Sequence, residues 1–236
     1  MSGHSKWSTI KRQKGVADSK RSQIFTKLAN TIAVAARQGA DPVMNFKLRL
    51  AIDKAREVSM PKENIDRAIK RGSGGENGLQ LEEITYEGYG PGGVAFLIET
   101  VTNNRNRTAP NIRHLLEKNG GRFAENGSVA WLFESKGIIQ IKSEGSIEDL
   151  ELGLIEVGAT DIKEESNNII IICEPPSFDG VKKYLLSKNI NVIYSNIEPI
   201  AKTTVEVDEV VANKLDGLRT ALDDDEEINN FYDNAV

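Results

Sequence analysis

Cysteine, histidine and tryptophan are scarce in this chain: one, two and two among 236 residues. A single cysteine excludes an internal disulfide. Its setting, Ile169-Ile170-Ile171-Ile172-Cys173, predicts a buried strand thiol rather than a reactive one. His4 and His114 stand far apart, and neither has a cysteine or second histidine at ligand spacing, so no metal site is expected. No serine sits in a nucleophile elbow. The adjacent carboxylates Glu82-Glu83 and Glu164-Glu165 fall in strand-like stretches and point to opposite faces instead of converging. A protein without catalytic activity, metal or cofactor is the expectation. No apolar run is long enough to span a membrane, and the opening lacks the apolar core of a signal peptide. The opening residues read as part of the folded unit, and the expectation is a soluble, cytoplasmic chain with no membrane partner.

Charge is what the chain has in excess, and it is divided. Residues 1–72 hold sixteen Lys/Arg against six Asp/Glu, a balance of +10, whereas residues 73–236 hold fourteen against twenty-nine, −15. Such asymmetry points to a polyanion, nucleic acid above all, as partner of the basic part. The alternative is a solvated helical surface that happens to be basic.

The basic part opens with an arm whose Lys6, Lys11, Arg12 and Lys14 are placed to touch phosphates, with Trp7 packing on the helices behind. A helix over residues 19–38 follows, its buried stripe Ile24, Phe25, Leu28, Ala29, Ile32 and Ala36, with Lys20 and Lys27 on roughly the opposite face. Asp41 is expected to cap a second helix with Pro42 in its first turn and a stripe of Met44, Leu48, Ala51, Ile52, Ala55 and Val58. Pro61 opens a third, with Arg67, Lys70 and Arg71 outward and Gly72 as its stop. No helix gathers the Asn, Gln and Arg that read base edges, which argues against a helix-turn-helix reader. Residues 71–78 form a glycine-rich linker.

Beyond the linker the period switches to two. Residues 83–89 and 94–102 read as strands joined by Gly90-Pro91-Gly92-Gly93, a tight turn that matches no phosphate-binding fingerprint. A helix capped by Thr108 and a strand over 129–133 are expected next. Arg105 and Arg107 at that helix start offer a second anion contact, or are surface arginines of a polar loop. Residues 137–198 then follow a β-α-β-β-α-β order. A strand at 205–207, a helix at 208–222 and a strand near 228–232 complete an interrupted second pattern of the same kind. The run Asp223-Asp224-Asp225-Glu226-Glu227 reads as a solvated loop. The expected fold class is α+β: an N-terminal three-helix domain followed by two ferredoxin-like α+β domains, one inserted in the other. The expected domains are residues 1–78, residues 79–136 plus 199–236, and the insert 137–198.

Several motifs together resemble the YebC/PmpR family. They are Gly3-His4-Ser5-Lys6-Trp7, Ile24-Phe25-Thr26-Lys27-Leu28, Leu48-Arg49-Leu50-Ala51-Ile52-Asp53-Lys54-Ala55, Met60-Pro61-Lys62, Tyr86-Glu87-Gly88-Tyr89-Gly90-Pro91-Gly92-Gly93, Asn104-Arg105-Asn106-Arg107-Thr108 and Gly127-Ser128-Val129-Ala130-Trp131. The match covers nearly the whole length and loosens in the insert, around Arg122-Phe123-Ala124-Glu125 and near residues 223–230. The resemblance implies a helical domain, two α+β domains, no enzymatic activity and no cofactor. It also implies one of two functions: a DNA-binding transcriptional regulator, or a ribosome-associated factor that binds ribosomal or transfer RNA and eases synthesis through proline-rich stretches. The residues themselves leave DNA and RNA both open.

Overall fold

The computed structural model describes residues 18–74, 81–143, 148–165 and 167–236. The arm with His4, Lys6, Trp7, Lys11, Arg12 and Lys14 lies outside the described residues. The chain divides into two compact units, Met1–Leu132 with Thr203–Val236, and Phe133–Lys202. In chain order the elements are α1 (Asp18–Ala36), α2 (Phe46–Glu57), α3 (Lys62–Gly72), β1 (Glu82–Tyr89), β2 (Ala95–Thr102), α4 (Arg105–Lys118), β3 (Arg122–Ala124), β4 (Phe133–Lys142), α5 (Glu148–Glu156), β5 (Ala159–Glu165), β6 (Asn168–Cys173), α6 (Phe178–Ser187), β7 (Val192–Ala201), α7 (Glu209–Asp223) and β8 (Ile228–Asp233).

In the first unit, α1 to α3 close around Ile32, Leu48, Ile52, Ala55, Ile65 and Ala68. The second helix starts later than Asp41. Asn45 is the cap: its side-chain oxygen accepts from the Leu48 N–H at 3.0 Å, while its amide donates to the carbonyls of Ala35 and Gly39. One buried asparagine thus ends α1 and begins α2, and Asp41 is left to hold a turn through the Val43 N–H. Met44, expected in the apolar stripe, is 86% exposed because it precedes the helix. Gly72 is helical, not a stop. A Cβ there would lie 1.9 Å from the Ala33 carbonyl oxygen, so glycine is required for the close approach of α3 to α1.

The same unit holds an antiparallel sheet ordered β3-β1-β2-β8. Strand alternation places Tyr86, Phe96 and Ile98 on one face, where Ile112 and Leu116 of α4 and Leu215, Leu218 and Leu222 of α7 bury them. On the opposite face α1 packs Ala33 against Leu81 and Val101, and Thr31 accepts from the Asn229 amide at 2.9 Å. The C-terminal strand is tied down by Arg219, whose Nε and Nη2 grip the two Asp233 oxygens at 2.9 and 2.8 Å.

Three further expectations for this unit change. The strand that follows α4 is β3, not residues 129–133. Residues Ala130–Leu132 make a 3-10 turn instead, because the Glu87 carboxylate accepts the N–H groups of Gly127, Val129 and Ala130 that a sheet ladder would need. The fourth helix begins at Arg105 with Asn104 as cap, and Thr108 lies buried inside it. Residues 205–207 form no strand; Val205 makes a single parallel bridge to Ala235.

The second unit is ferredoxin-like: β4-α5-β5-β6-α6-β7, with an antiparallel sheet ordered β5-β6-β4-β7. Ile139, Ile141, Ile169 and Ile171 from the strands are buried, as are Leu154, Phe178, Val181 and Leu185 from the helical side. Cys173 is fully buried in this unit, and burial, helped by the neighbouring Glu174 charge, pushes its thiol up to about 11. It is a packing residue, as its apolar run predicts.

Candidate nucleic-acid interface

The basic residues singled out by the sequence separate into engaged and free groups. Lys27 Nζ donates to the Asp223 carbonyl at 2.6 Å, and Lys20 Nζ lies 3.6 Å from Asp224 Oδ1. The acidic run is therefore not a plain solvated loop: it receives α1, and its Asp225 accepts from the Asn111 amide at 2.6 Å. Burial lowers the Lys27 pKa more than the carboxylates of Asp223, Asp225, Asp224 and Glu226 raise it. Arg71 donates to the Ala29 carbonyl and to Asn30 Oδ1 at 3.1 and 2.9 Å, a structural position between α1 and α3.

At the start of α4, Arg105 Nε sits 3.4 Å from Glu82 Oε2, and Arg107 pairs with Glu227. The Glu227 carboxylate also lies 3.0 Å from the hydroxyls of Thr102 and Thr108. Burial pushes its pKa up, but the hydrogen bonds from Arg107, Thr108 and Thr102 outweigh that and hold it below the usual range. Arg107 faces an internal anion. By contrast Arg67 and Lys70 on α3 are exposed, as are Lys47 and Lys62, and none of these four side chains makes an ion pair or hydrogen bond with another described residue.

A second cluster escaped the sequence reading. Glu87 is 5% exposed and takes the N–H groups of Gly127, Val129 and Ala130 at 2.6, 2.6 and 2.9 Å. Burial raises its pKa, but these backbone donors more than offset the rise, leaving the carboxyl below its ordinary value. The loop they fix offers the Ser128 carbonyl to two aromatic donors, the Tyr89 hydroxyl at 3.2 Å and Trp131 Nε1 at 3.0 Å. Arg122, the register partner of Tyr89, holds its guanidinium 4.5 Å from the Tyr89 ring centre. Trp131 is 64% exposed. The motif residues were visible in the sequence. Their convergence was hidden because Val129-Ala130-Trp131-Leu132-Phe133 imitates a strand.

Among the described residues no group of three His, Cys, Asp or Glu side chains is placed to hold a metal ion, and no helix is long and apolar enough to cross a membrane. Comparison with known proteins bears on the whole length. The model of the TACO1/YebC protein N-terminal domain matches residues 5–75, and that of the TACO1/YebC second and third domain matches residues 81–235. A "Probable transcriptional regulatory protein" of Natranaerobius thermophilus is 44% identical over 239 residues, covering 99% of this chain and 96% of that one. One of the same name from Syntrophus aciditrophicus is 47% identical over 238 residues, covering 99% and 95%. The crystal structure of a conserved hypothetical protein, Aq1575, from Aquifex aeolicus superposes with a TM-score of 0.87 at 39% identity, covering 98% of this chain and 97% of that one.

Proposed function

The chain belongs to the TACO1/YebC family, and we propose that it is a non-enzymatic, cytoplasmic regulator of gene expression that binds nucleic acid through its helical domain. Its relatives are named probable transcriptional regulatory proteins, which supports a regulatory role, and our reading of that role is a DNA-binding transcriptional regulator. The observation that carries the nucleic-acid reading is the set of exposed cations Lys47, Lys62, Arg67 and Lys70, unneutralised within the described protein while Lys20, Lys27, Arg71, Arg105 and Arg107 have internal partners. The arm with Lys6, Lys11, Arg12 and Lys14 adds to that set from its sequence alone. Phosphate contacts of this type hold a protein on its target without reading bases.

A second reading, a ribosome-associated factor that binds ribosomal or transfer RNA, draws on the surface of α3. Its exposed charged residues are of both signs, Lys62, Arg67 and Lys70 with Glu63 and Asp66, so it carries two carboxylates where a major-groove reader presents donors. Co-sedimentation with ribosomes, set against retention on a promoter-length duplex at the same salt, separates the two. Ribosome association that survives salt at which the duplex is released favours the second reading, and the reverse order favours the first. Absence of salt-dependent binding to either sinks both.

A further inference from the structure

We propose that Trp131, with the Arg122–Tyr89 stack beside it, is a platform for an unpaired nucleobase. The proposal rests on the nucleic-acid reading above and adds to it a second contact, carried by residues outside the three helices, that selects single strands.

Tryptophan is the side chain with most to gain from burial, and a folded protein exposes one at a stability loss. Here the indole is 64% exposed yet not loose, since its one polar atom is satisfied by the Ser128 carbonyl. That carbonyl has two lone pairs, and the Tyr89 hydroxyl takes the other. The loop carrying it is pinned from below by three N–H bonds to the buried Glu87. The indole N–H is thus held at the Ser128 carbonyl while most of the ring surface stays exposed. A fixed aromatic face loses little entropy on binding, which is what a stacking site needs.

The neighbouring chemistry selects the occupant. Arg122 is exposed and its guanidinium lies over Tyr89, so a planar cation and an aromatic ring flank the same loop. Register fixes their side of the sheet. Gly88 and Phe123, the adjacent pair, face the side where α4 packs, with Phe123 against the Tyr86 ring at 5.9 Å, so Tyr89 and Arg122 face the other side. Sheet faces bearing aromatics and arginine bind single strands by stacking, tolerant of sequence because every base has a π-face. A duplex keeps its bases stacked inside and has none to offer. Glu87, the carboxylate two residues before Tyr89 on β1, is buried and turned onto three backbone N–H groups, whose dipoles partly offset its charge.

The test uses the full chain and a short single-stranded oligo(U) carrying one central 2-aminopurine, beside a duplex of the same length. Wild type is expected to quench the 2-aminopurine on binding the single strand. Trp131→Ala should abolish the quench and weaken single-strand binding roughly ten-fold, with duplex affinity, salt dependence and melting temperature unchanged. Trp131→Phe should retain most of both signals, and Arg122→Gln should lose part of the affinity. A Trp131→Ala protein that binds and quenches like wild type overturns the proposal, as does an equal loss on both probes. Wild-type binding without any quench also overturns it, and leaves Trp131 as a protein contact. A wild type that binds neither probe at any salt overturns the nucleic-acid reading itself, a result distinct from the others.

Discussion

Lys27 reaches the last carbonyl of α7: its ammonium donates to the Asp223 oxygen at 2.6 Å, across 196 residues of sequence. A cation at a helix C-terminus meets both unpaired carbonyls and the negative end of the helix dipole. The bond joins the basic helical layer to the acidic stretch that follows α7, so the division of charge seen in the sequence is partly an internal interface.

Lys27→Met should therefore destabilise the protein by about 1–2 kcal/mol, the value of a partly buried charged hydrogen bond. Lys20→Ala should change stability by less than about 0.5 kcal/mol, because the Lys20–Asp224 pair is half exposed. Urea unfolding of the two variants beside wild type checks this. Equal stability in all three would return Lys27 to the pool of free cations.

Glu87 links acid sensitivity to the Trp131 loop. Its folded pKa is lowered by the backbone donors of Val129, Gly127 and Ala130. A carboxyl of this kind adds stability that is present above its unfolded pKa and lost as pH falls through the folded one. Glu87→Gln should lower stability at pH 7 by about 2 kcal/mol, since one N–H loses its acceptor. The gap between the two proteins should narrow as pH is lowered through the carboxylate range. Unfolding curves collected from neutral to acid pH give the answer, and a gap that is constant or widens in acid contradicts the assignment.

Gly72→Ala tests the seam between α1 and α3. The added methyl meets a backbone carbonyl, which cannot swing aside as a side chain would. An expected loss of roughly 1–3 kcal/mol follows from overpacking, against the small gain that alanine brings to an open helix position. Lys70→Ala, two residues earlier and exposed, is the control and should leave the melting temperature within error. A stabilised Gly72→Ala protein would show that the helices can part at little expense.

What was legible in the sequence was local. The stripe Leu48, Ala51, Ile52 and Ala55 gave the second helix its buried face, and the β-α-β-β-α-β order of the insert was readable within residues 137–198. Misreadings arose where one residue has two plausible partners. Asp41-Pro42 looks like a cap and first turn, but Asn45 satisfies three groups at once and wins. Residues 129–133 are apolar enough for a strand, but the buried Glu87, forty-two residues away from Val129, claims their N–H groups. The acidic run looked solvated because Lys27, Asn111 and Arg107 approach it only in the folded chain.

Arg105 and Arg107 illustrate the same point and are separable by experiment. Arg107→Ala leaves Glu227 without its cation while Thr102 and Thr108 still contact it, so a lowered melting temperature is expected. Arg105→Ala, at an exposed 3.4 Å pair, should be neutral. Thermal unfolding and nucleic-acid affinity of both single variants decide the matter. A stable Arg107→Ala protein with weakened binding would place Arg107 at the nucleic acid after all.

The last prediction concerns how many phosphates are touched, and by which cations. Each released counterion lowers the log–log slope of affinity against salt by about 0.7 for single strands and 0.9 for duplex DNA. Arg67 and Lys70 have no partner among the described residues, so both are available to release counterions. Arg67→Ala with Lys70→Ala should flatten the slope by about one to two units, with an unchanged melting temperature. Replacing Lys6, Lys11, Arg12 and Lys14 by alanine should flatten it by roughly two to three. Losses should be nearly uniform across sequences, because phosphates carry no sequence information. Lys27→Met is the internal comparison: it removes a cation engaged with Asp223 and should leave the slope as it is while lowering stability. A salt series on duplex DNA and on ribosomal RNA, run with all four proteins, measures each slope. If the Arg67/Lys70 variant keeps the wild-type slope and Lys27→Met loses a unit, α1 and not α3 faces the nucleic acid, and the contact with the acidic stretch must open on binding.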